Sequence, residues 1–188
     1  ATAGYAFRRN AQGGYVLGPS HGHTAFITPD SIRQAWRFLP AFRSQRQILQ
    51  LKLGRAFIDD WRTPRRWRLD EVTPFERQRV LDPQADRAIN RVTLEAMIAD
   101  YPALRSARVI DEWAGMIDAT ADSVPVISAV ESLPGLLVNT GYSAYGLTLA
   151  PAGAQALAAV IAGEKPPVDL HPYRFSRFSD GSRLEVTP

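Results

Sequence analysis

The stretch NTGYSAYGLTLAPAGAQALAAVIAG, Asn139 to Gly163, holds the residues best placed to do chemistry. Gly141 and Gly146 bracket Tyr142, Ser143, Ala144 and Tyr145; Leu147, Thr148 and an alanine-rich run follow. Glycines let a backbone approach a ligand closely and take positive φ. A helix opening just behind them offers unpaired N–H groups and a partial positive charge, the ingredients of an anion site. Thr148 is the expected cap of that helix. The same spacing also suits a strand-to-helix turn that glycines tighten for packing. A second cluster is WAGMID, with Gly115, Met116 and Ile117 in a turn; Asp118 either pairs with a cationic ligand or hydrogen-bonds the turn itself. His21 and His23, in GPSHGHTAF, form a His-x-His pair that can chelate. Two histidines without a clear third ligand make a weak site, so no metal is expected.

Several elements must position these groups. YAFRRNAQGGYVLG reads as two short strands, Tyr5–Arg9 and Gly14–Leu17, joined at NAQGG. A lone hairpin is marginal in water, so it is expected to join a larger sheet. In FITPDSIRQAWRFLP, Thr28 caps a helix, Pro29 suits its first position and Asp30 complements its positive end. Ile32, Ala35, Trp36 and Leu39 recur at helical spacing, and Pro40 is expected to interrupt. Leu49, Leu51 and Leu53 alternate like a strand, and Phe57, Trp61 and Trp67 follow on an arginine-laced segment. PQADRAINRVTLEAMIADYPAL predicts a second amphipathic helix, carrying Ile89, Val92, Leu94, Met97 and Ile98 and stopped by Pro102. From Ala107, three β-rich runs (ARVIDEWAG, SVPVISAV and GLLVNTG) lead into the alanine-rich helix. The tail EKPPVDLHPYRFSRFSDGS, in which His171 looks structural, reads as an extended arm. The expectation is an α+β chain with a lobe over residues 1–106, strands and a helix over 107–163, and an arm over 164–188.

At 188 residues the chain can form one well-buried domain or two small lobes. Its 45% hydrophobic and 22% charged content is ordinary for a soluble globular protein. The absence of cysteine excludes disulfides, thiolate metal sites and a cysteine-linked cofactor. No run reaches the ~18 apolar residues that span a bilayer, and the N-terminus has no signal-peptide layout. The expected location is cytoplasmic, with a peripheral seat on a membrane left open. Net charge is +3, yet Arg33 to Arg79 holds twelve Arg/Lys against five Asp/Glu. Such a patch attracts nucleic acid, acidic lipid or an anionic ligand, or is simply a solvated face. Tryptophans among arginines could stack bases, or be core aromatics under arginine stems. No nucleic-acid motif accompanies them, and no nucleic-acid partner is expected.

The segment RVIDEWAGMIDATADSVPVISAVESLPGLLVNTGYSAYGLTLAPAGAQALAAVIAGEKPPVDLHPYRFSRF, Arg108 to Phe178, resembles the C-terminal part of the D-amino-acid oxidase/glycine oxidase/sarcosine oxidase family of FAD-dependent oxidoreductases. The features that carry the resemblance are the WAG turn, the PVI strand about ten residues on, and TGYSAYG running into LAPA. The earlier lobe is similar to that family's substrate-binding domain. The resemblance implies an antiparallel or mixed substrate-binding sheet with flanking helices, followed by the last strands and helix of a Rossmann-like FAD-binding domain. It also implies that the glycine loop faces the pyrimidine side of a non-covalent FAD. Gly141, Tyr142, Ser143, Ala144, Tyr145, Gly146, Leu147 and Thr148 would hold the flavin, with Gly115, Met116 and Ile117 beside it. Hydride uptake leaves negative charge on that side of the ring, where a helix N-terminus is favourable. Tyr145 and His23 are the pocket residues assigned to catalysis. Tyr142 either covers the ring or packs.

Departures from the family pattern matter as much. Amino-acid-oxidising relatives often read W-A-G-L-R-P, with the arginine clamping a substrate carboxylate; Ile117 and Asp118 cannot do that job. Sarcosine-oxidase-like members often carry lysine where Thr148 stands and histidine where Tyr145 stands. No G-x-G-x-x-G fingerprint for the FAD diphosphate occurs in the sequence. The expected partner is therefore a polypeptide carrying that half, cleaved from this chain or separate, together with a small amine or amino-acid substrate. The alternative is a non-catalytic, partner-binding subunit or remnant of the family.

Overall fold

The computed structural model describes residues 4–20, 22–184 and 186; His21, and with it half of the His-x-His pair, lies outside them. The chain is α+β and divides into two compact units. One comprises residues 1–34 and 45–116, the other residues 35–44 and 117–188.

In the first unit, β1 (Tyr5–Arg9) pairs antiparallel with β2 (Tyr15–Pro19). Asn10 closes the turn by accepting from the Gly14 N–H at 2.8 Å, and Gly13 supplies the positive φ. The expected larger sheet is absent from the described residues: this ladder has two strands. A helix takes the place of further strands, because α4 (Arg87–Asp100) packs on the hairpin. Helix packing is the other route by which a hairpin becomes stable. Tyr5 donates to Asp100 at 2.6 Å and Phe7 meets Tyr101 edge-on at 5.5 Å. The hydrogen bond to Asp100, aided by burial, pushes the Tyr5 phenol up to about 12.

A parallel pair completes this unit, β3 (His23–Phe26) with β4 (Leu49–Lys52). Parallel strands need a crossover, and α1 (Pro29–Gln45) provides it. Thr28 caps α1 by accepting from Ser31 N, while Ser31 Oγ accepts from Thr28 N. Pro40 does not interrupt the helix, which continues to Gln45. Proline removes one donor to the preceding turn, but Trp36 and Pro40 are both exposed, so water can serve the freed carbonyl. The arginine-laced segment folds into α2 (Arg55–Arg62), with Phe57 stacked on Trp61, and α3 (Pro74–Arg77). Asp86 caps α4 through Ala88 and Ile89 and also accepts from Lys52 Nζ at 2.8 Å, joining β4 to α4. That lysine contact, with the cap, holds the Asp86 carboxyl below its usual range.

In the second unit, β5 (Val126–Ala129) and β6 (Leu137–Thr140) form an antiparallel hairpin covered by α5 (Gly146–Ile161). Val126, Ile127, Val130 and Ala156 are buried there and make its core. ARVIDEWAG, expected as a third strand and part of the first unit, is irregular and has no ladder among the described residues. Val109, Ile110 and Trp113 along it are exposed. A strand exists only where a neighbour takes its N–H and C=O groups, and SVPVISAV and GLLVNTG find each other instead. Beyond α5 the arm folds back in two 3₁₀ turns, His171–Tyr173 and Phe175–Phe178. No helix among the described residues is long and apolar enough to cross a membrane.

Candidate functional site

The loop between β6 and α5 is built around backbone strain. Gly141 has φ +75°, then Ser143 and Ala144 take φ of 49° and 75°. Two non-glycine residues in the left-handed region within one turn cost about 1–3 kcal/mol each, and surrounding contacts must enforce them. Those contacts come from the segment just after the WAG turn. Asp118 Oδ2 accepts from the Gly141 N–H at 2.7 Å and from Thr140 Oγ1 at 2.5 Å. The Asp118 carbonyl accepts from the Ser143 N–H at 2.9 Å. Of the two roles open to Asp118, the structure shows the hydrogen-bonded turn. Thr120 adds a steric wall, since a Cβ on Gly141 would lie 2.4 Å from its Cγ2.

The wall is itself fixed. Thr120 Oγ1 donates to the Val124 carbonyl, and the buried Asp122 grips Arg177 of the arm. Arg177 Nε and Nη2 reach the two Asp122 oxygens at 2.7 and 3.1 Å, and Nη2 also donates to the Val124 carbonyl. Burial alone pushes the Asp122 carboxyl up, but the Arg177 hydrogen bond, the Val124 N–H and the neighbouring positive charge together hold it below its usual value. A bidentate, charge-assisted pair of this kind fixes geometry as well as energy.

At the end of the loop α5 starts with an open mouth. Tyr145 is its N-cap residue and supplies no side-chain cap. Thr148, expected to cap, is inside the first turn, and its N–H reaches back to the Tyr145 carbonyl at 3.1 Å. The side chains around the mouth leave it accessible: Tyr145 is 56% exposed and Leu147 94%. First-turn N–H groups with no side-chain cap are where a helix presents its partial positive charge. Such a mouth suits an anion or another electron-rich group, and the exposed rim leaves the approach open.

The two tyrosines differ. Tyr142 is half-buried, donates to Asn139 Oδ1 and lies against Gly153, where a Cβ would fall 2.0 Å from its hydroxyl. Both rings line an apolar groove of about 550 Å³ with Ile127, Leu149 and Val168. Tyr142 is thus committed to packing, whereas Tyr145 has much of its surface free.

The remaining candidates are distributed between the units. Ile117 and the loop from Gly141 to Thr148 belong to the second unit, while His23, Gly115 and Met116 belong to the first. Gly115, Met116 and Ile117 lie on exposed, irregular chain. His23 is half-buried at the start of β3, its N–H on the Ile48 carbonyl at 2.8 Å. Among the described residues no group of three His, Cys, Asp or Glu side chains is placed to hold a metal. Sequence reasoning missed the Arg177–Asp122 pair; the only signal was an arginine between two phenylalanines in an otherwise extended tail.

Comparison with known proteins meets this geometry. The DAO family model, FAD dependent oxidoreductase, matches residues 2–160. Glycine oxidase of Pseudomonas aeruginosa is 36% identical over 82 residues, 43% of this chain and 22% of that protein. D-amino acid dehydrogenase of Agrobacterium fabrum is 37% identical over 67 residues, 36% of this chain and 16% of that protein. The solved L-amino acid deaminase from Proteus vulgaris superposes with a TM-score of 0.85 at 30% identity, over 94% of this chain and 41% of that one. The 188 residues thus match less than half the length of each.

Proposed function

Because the chain belongs to the family of FAD-dependent oxidoreductases, we propose that it forms the substrate lobe and the C-terminal, ring-facing segment of an FAD-dependent amine or amino-acid oxidoreductase. When bound, the flavin supplies the acceptor for a hydride leaving the carbon of a C–N bond. The observation that carries this reading is the open mouth of α5 at the end of a strained, clamped loop.

This chain's residues would do three things. The first-turn N–H groups at Gly146 and Leu147 would place partial positive charge against the ring, where electron density accumulates on reduction. The enforced backbone of Gly141 to Ala144 would fix where that mouth sits, so that no reorganisation accompanies the reaction. Tyr145 would cover the ring or substrate, and His23 would line the substrate side. Gly115, Met116 and Ile117 would flank the ring. Such oxidation needs mainly positioning when the amine arrives neutral.

The FAD nucleotide would be held, non-covalently, by polypeptide bearing the G-x-G-x-x-G fingerprint outside these 188 residues. The names of the relatives favour an amino acid as substrate. Ile117 stands where many relatives carry arginine, so a substrate carboxylate would need another cation. The test is anaerobic addition of glycine, sarcosine and D- and L-amino acids to the complete flavin-loaded protein. Bleaching of the flavin band by one class supports the reading; a protein that takes up no flavin, or whose flavin no amine reduces, removes it.

A further inference from the structure

Asp118 binds both sides of the turn that leads to the α5 mouth. Its carboxylate accepts from Gly141 N at 2.7 Å and Thr140 Oγ1 at 2.5 Å, and its carbonyl accepts from Ser143 N at 2.9 Å. The three donors surround the Gly141 turn, and Ser143 is the first of the two strained non-glycine residues. Beyond Thr140 no residue of this loop is helical or in a ladder. Its backbone bonds are Tyr145 N–H to the Tyr142 carbonyl at 2.8 Å, which closes the turn over Ser143 and Ala144, and Ser143 N–H to the Asp118 carbonyl. The Gly141 N–H is left to the Asp118 carboxylate. Gly141 has no side chain of its own to direct, and Ala144 is exposed. The chain relaxes out of the left-handed region unless something opposes it.

We propose that Asp118 is a positioning residue for the flavin-facing loop: it sets the aim of the α5 mouth and of Tyr145, without itself touching ring or substrate. The inference rests on the flavin-facing reading above and adds the residue that controls it. It also gives WAGMID a purpose in this chain. The position after Ile117 holds the glycine loop, in place of a substrate clamp.

Two readouts test it on the complete protein. In hydrogen exchange, Asp118→Ala accelerates the Gly141 amide at least about tenfold, while the β5–β6 ladder amides keep their rates. Asp118→Asn retains an acceptor oxygen and restores most of the protection. In flavin titration, Asp118→Ala weakens binding about tenfold or more and alters the shape of the visible bands, and Asp118→Asn recovers both. Unchanged Gly141 exchange in Asp118→Ala overturns the proposal. Equal loss in the ladder amides overturns it too, because that outcome describes a general fold role. If Asp118→Ala does not fold, Thr140→Val, which removes one of the two donors to the same carboxylate, is compared with wild type for exchange, and unchanged Gly141 protection overturns it. A wild-type protein that binds no flavin removes the functional reading, whereas the exchange arm still reports on the loop.

Discussion

Gly153 and Tyr142 are fitted to each other: a Cβ at position 153 would lie 2.0 Å from the Tyr142 hydroxyl and 3.2 Å from its Cζ. Glycine in the interior of α5 costs about 1 kcal/mol of helix propensity relative to alanine. The tyrosine ring, anchored on Asn139, occupies the space the glycine leaves. Gly153→Ala is therefore expected to destabilise, because overpacking of about 1–3 kcal/mol exceeds the propensity gain. Combining it with Tyr142→Phe relieves the worst clash, so the pair is non-additive in the favourable direction. Denaturant unfolding of the two single variants and the double variant checks this.

The same reasoning runs the other way at Ala144, which is exposed at φ 75°. Ala144→Gly removes left-handed strain of about 1–2 kcal/mol, less an entropy cost of about 0.4–1 kcal/mol in the unfolded chain. The melting temperature should rise by up to a few degrees. A fall would mean that the positive φ is not strained.

Arg177 and Asp122 are both almost wholly buried, at 4% and 3% exposure. Removing one partner strands the other, and Arg177→Met should cost about 3–5 kcal/mol. The double change Arg177→Met with Asp122→Leu should recover much of that. Asp122 also predicts a pH dependence. Its carboxyl is lowered in the folded chain, so its contribution is complete above the unfolded value of about 3.9. It is lost as pH falls through the lower folded value. Wild type should lose stability on acidification below about pH 4 more steeply than Asp122→Asn does.

Tyr5 carries the opposite sign. With the phenol raised to about 12, the Asp100 hydrogen bond contributes fully below about pH 10 and is lost as pH rises toward 12. Spectrophotometric titration should show a late tyrosinate component that Tyr5→Phe lacks. A Tyr5→Phe titration curve that lacks no late component of the wild-type curve would contradict the Tyr5–Asp100 contact.

Local signals in the sequence account for much of this fold. The Thr28 cap, the turn at Gly13, the β5–β6 hairpin and α5 follow from capping, turn chemistry and alternation. Pro40 misleads, because proline marks a helix end only where the lost donor cannot be replaced by water. α2 was hidden by its charge, although Phe57, Ile58 and Trp61 already had helical spacing. The ARVIDEWAG run shows the converse limit: alternation prepares a strand, but the ladder needs a partner. At the candidate site, glycine spacing located the loop, and Asp118 was legible only as one of two alternatives. The clamp on Gly141 spans 23 residues and the Arg177 grip spans 55, distances at which sequence alone carries no pairing information.

In the proposed enzyme the mouth of α5 lies against the flavin ring. Leu147→Glu tests it most directly, because residue 147 is 94% exposed and an acidic residue in a first turn suits the helix itself. The variant should fold as well as wild type. If the mouth faces the ring, the added charge opposes reduction and shifts the two-electron midpoint potential of the complete protein's flavin at least about 30 mV more negative, roughly a tenfold change in equilibrium. An unchanged potential, with flavin bound as tightly as in wild type, would place the ring elsewhere and contradict the account.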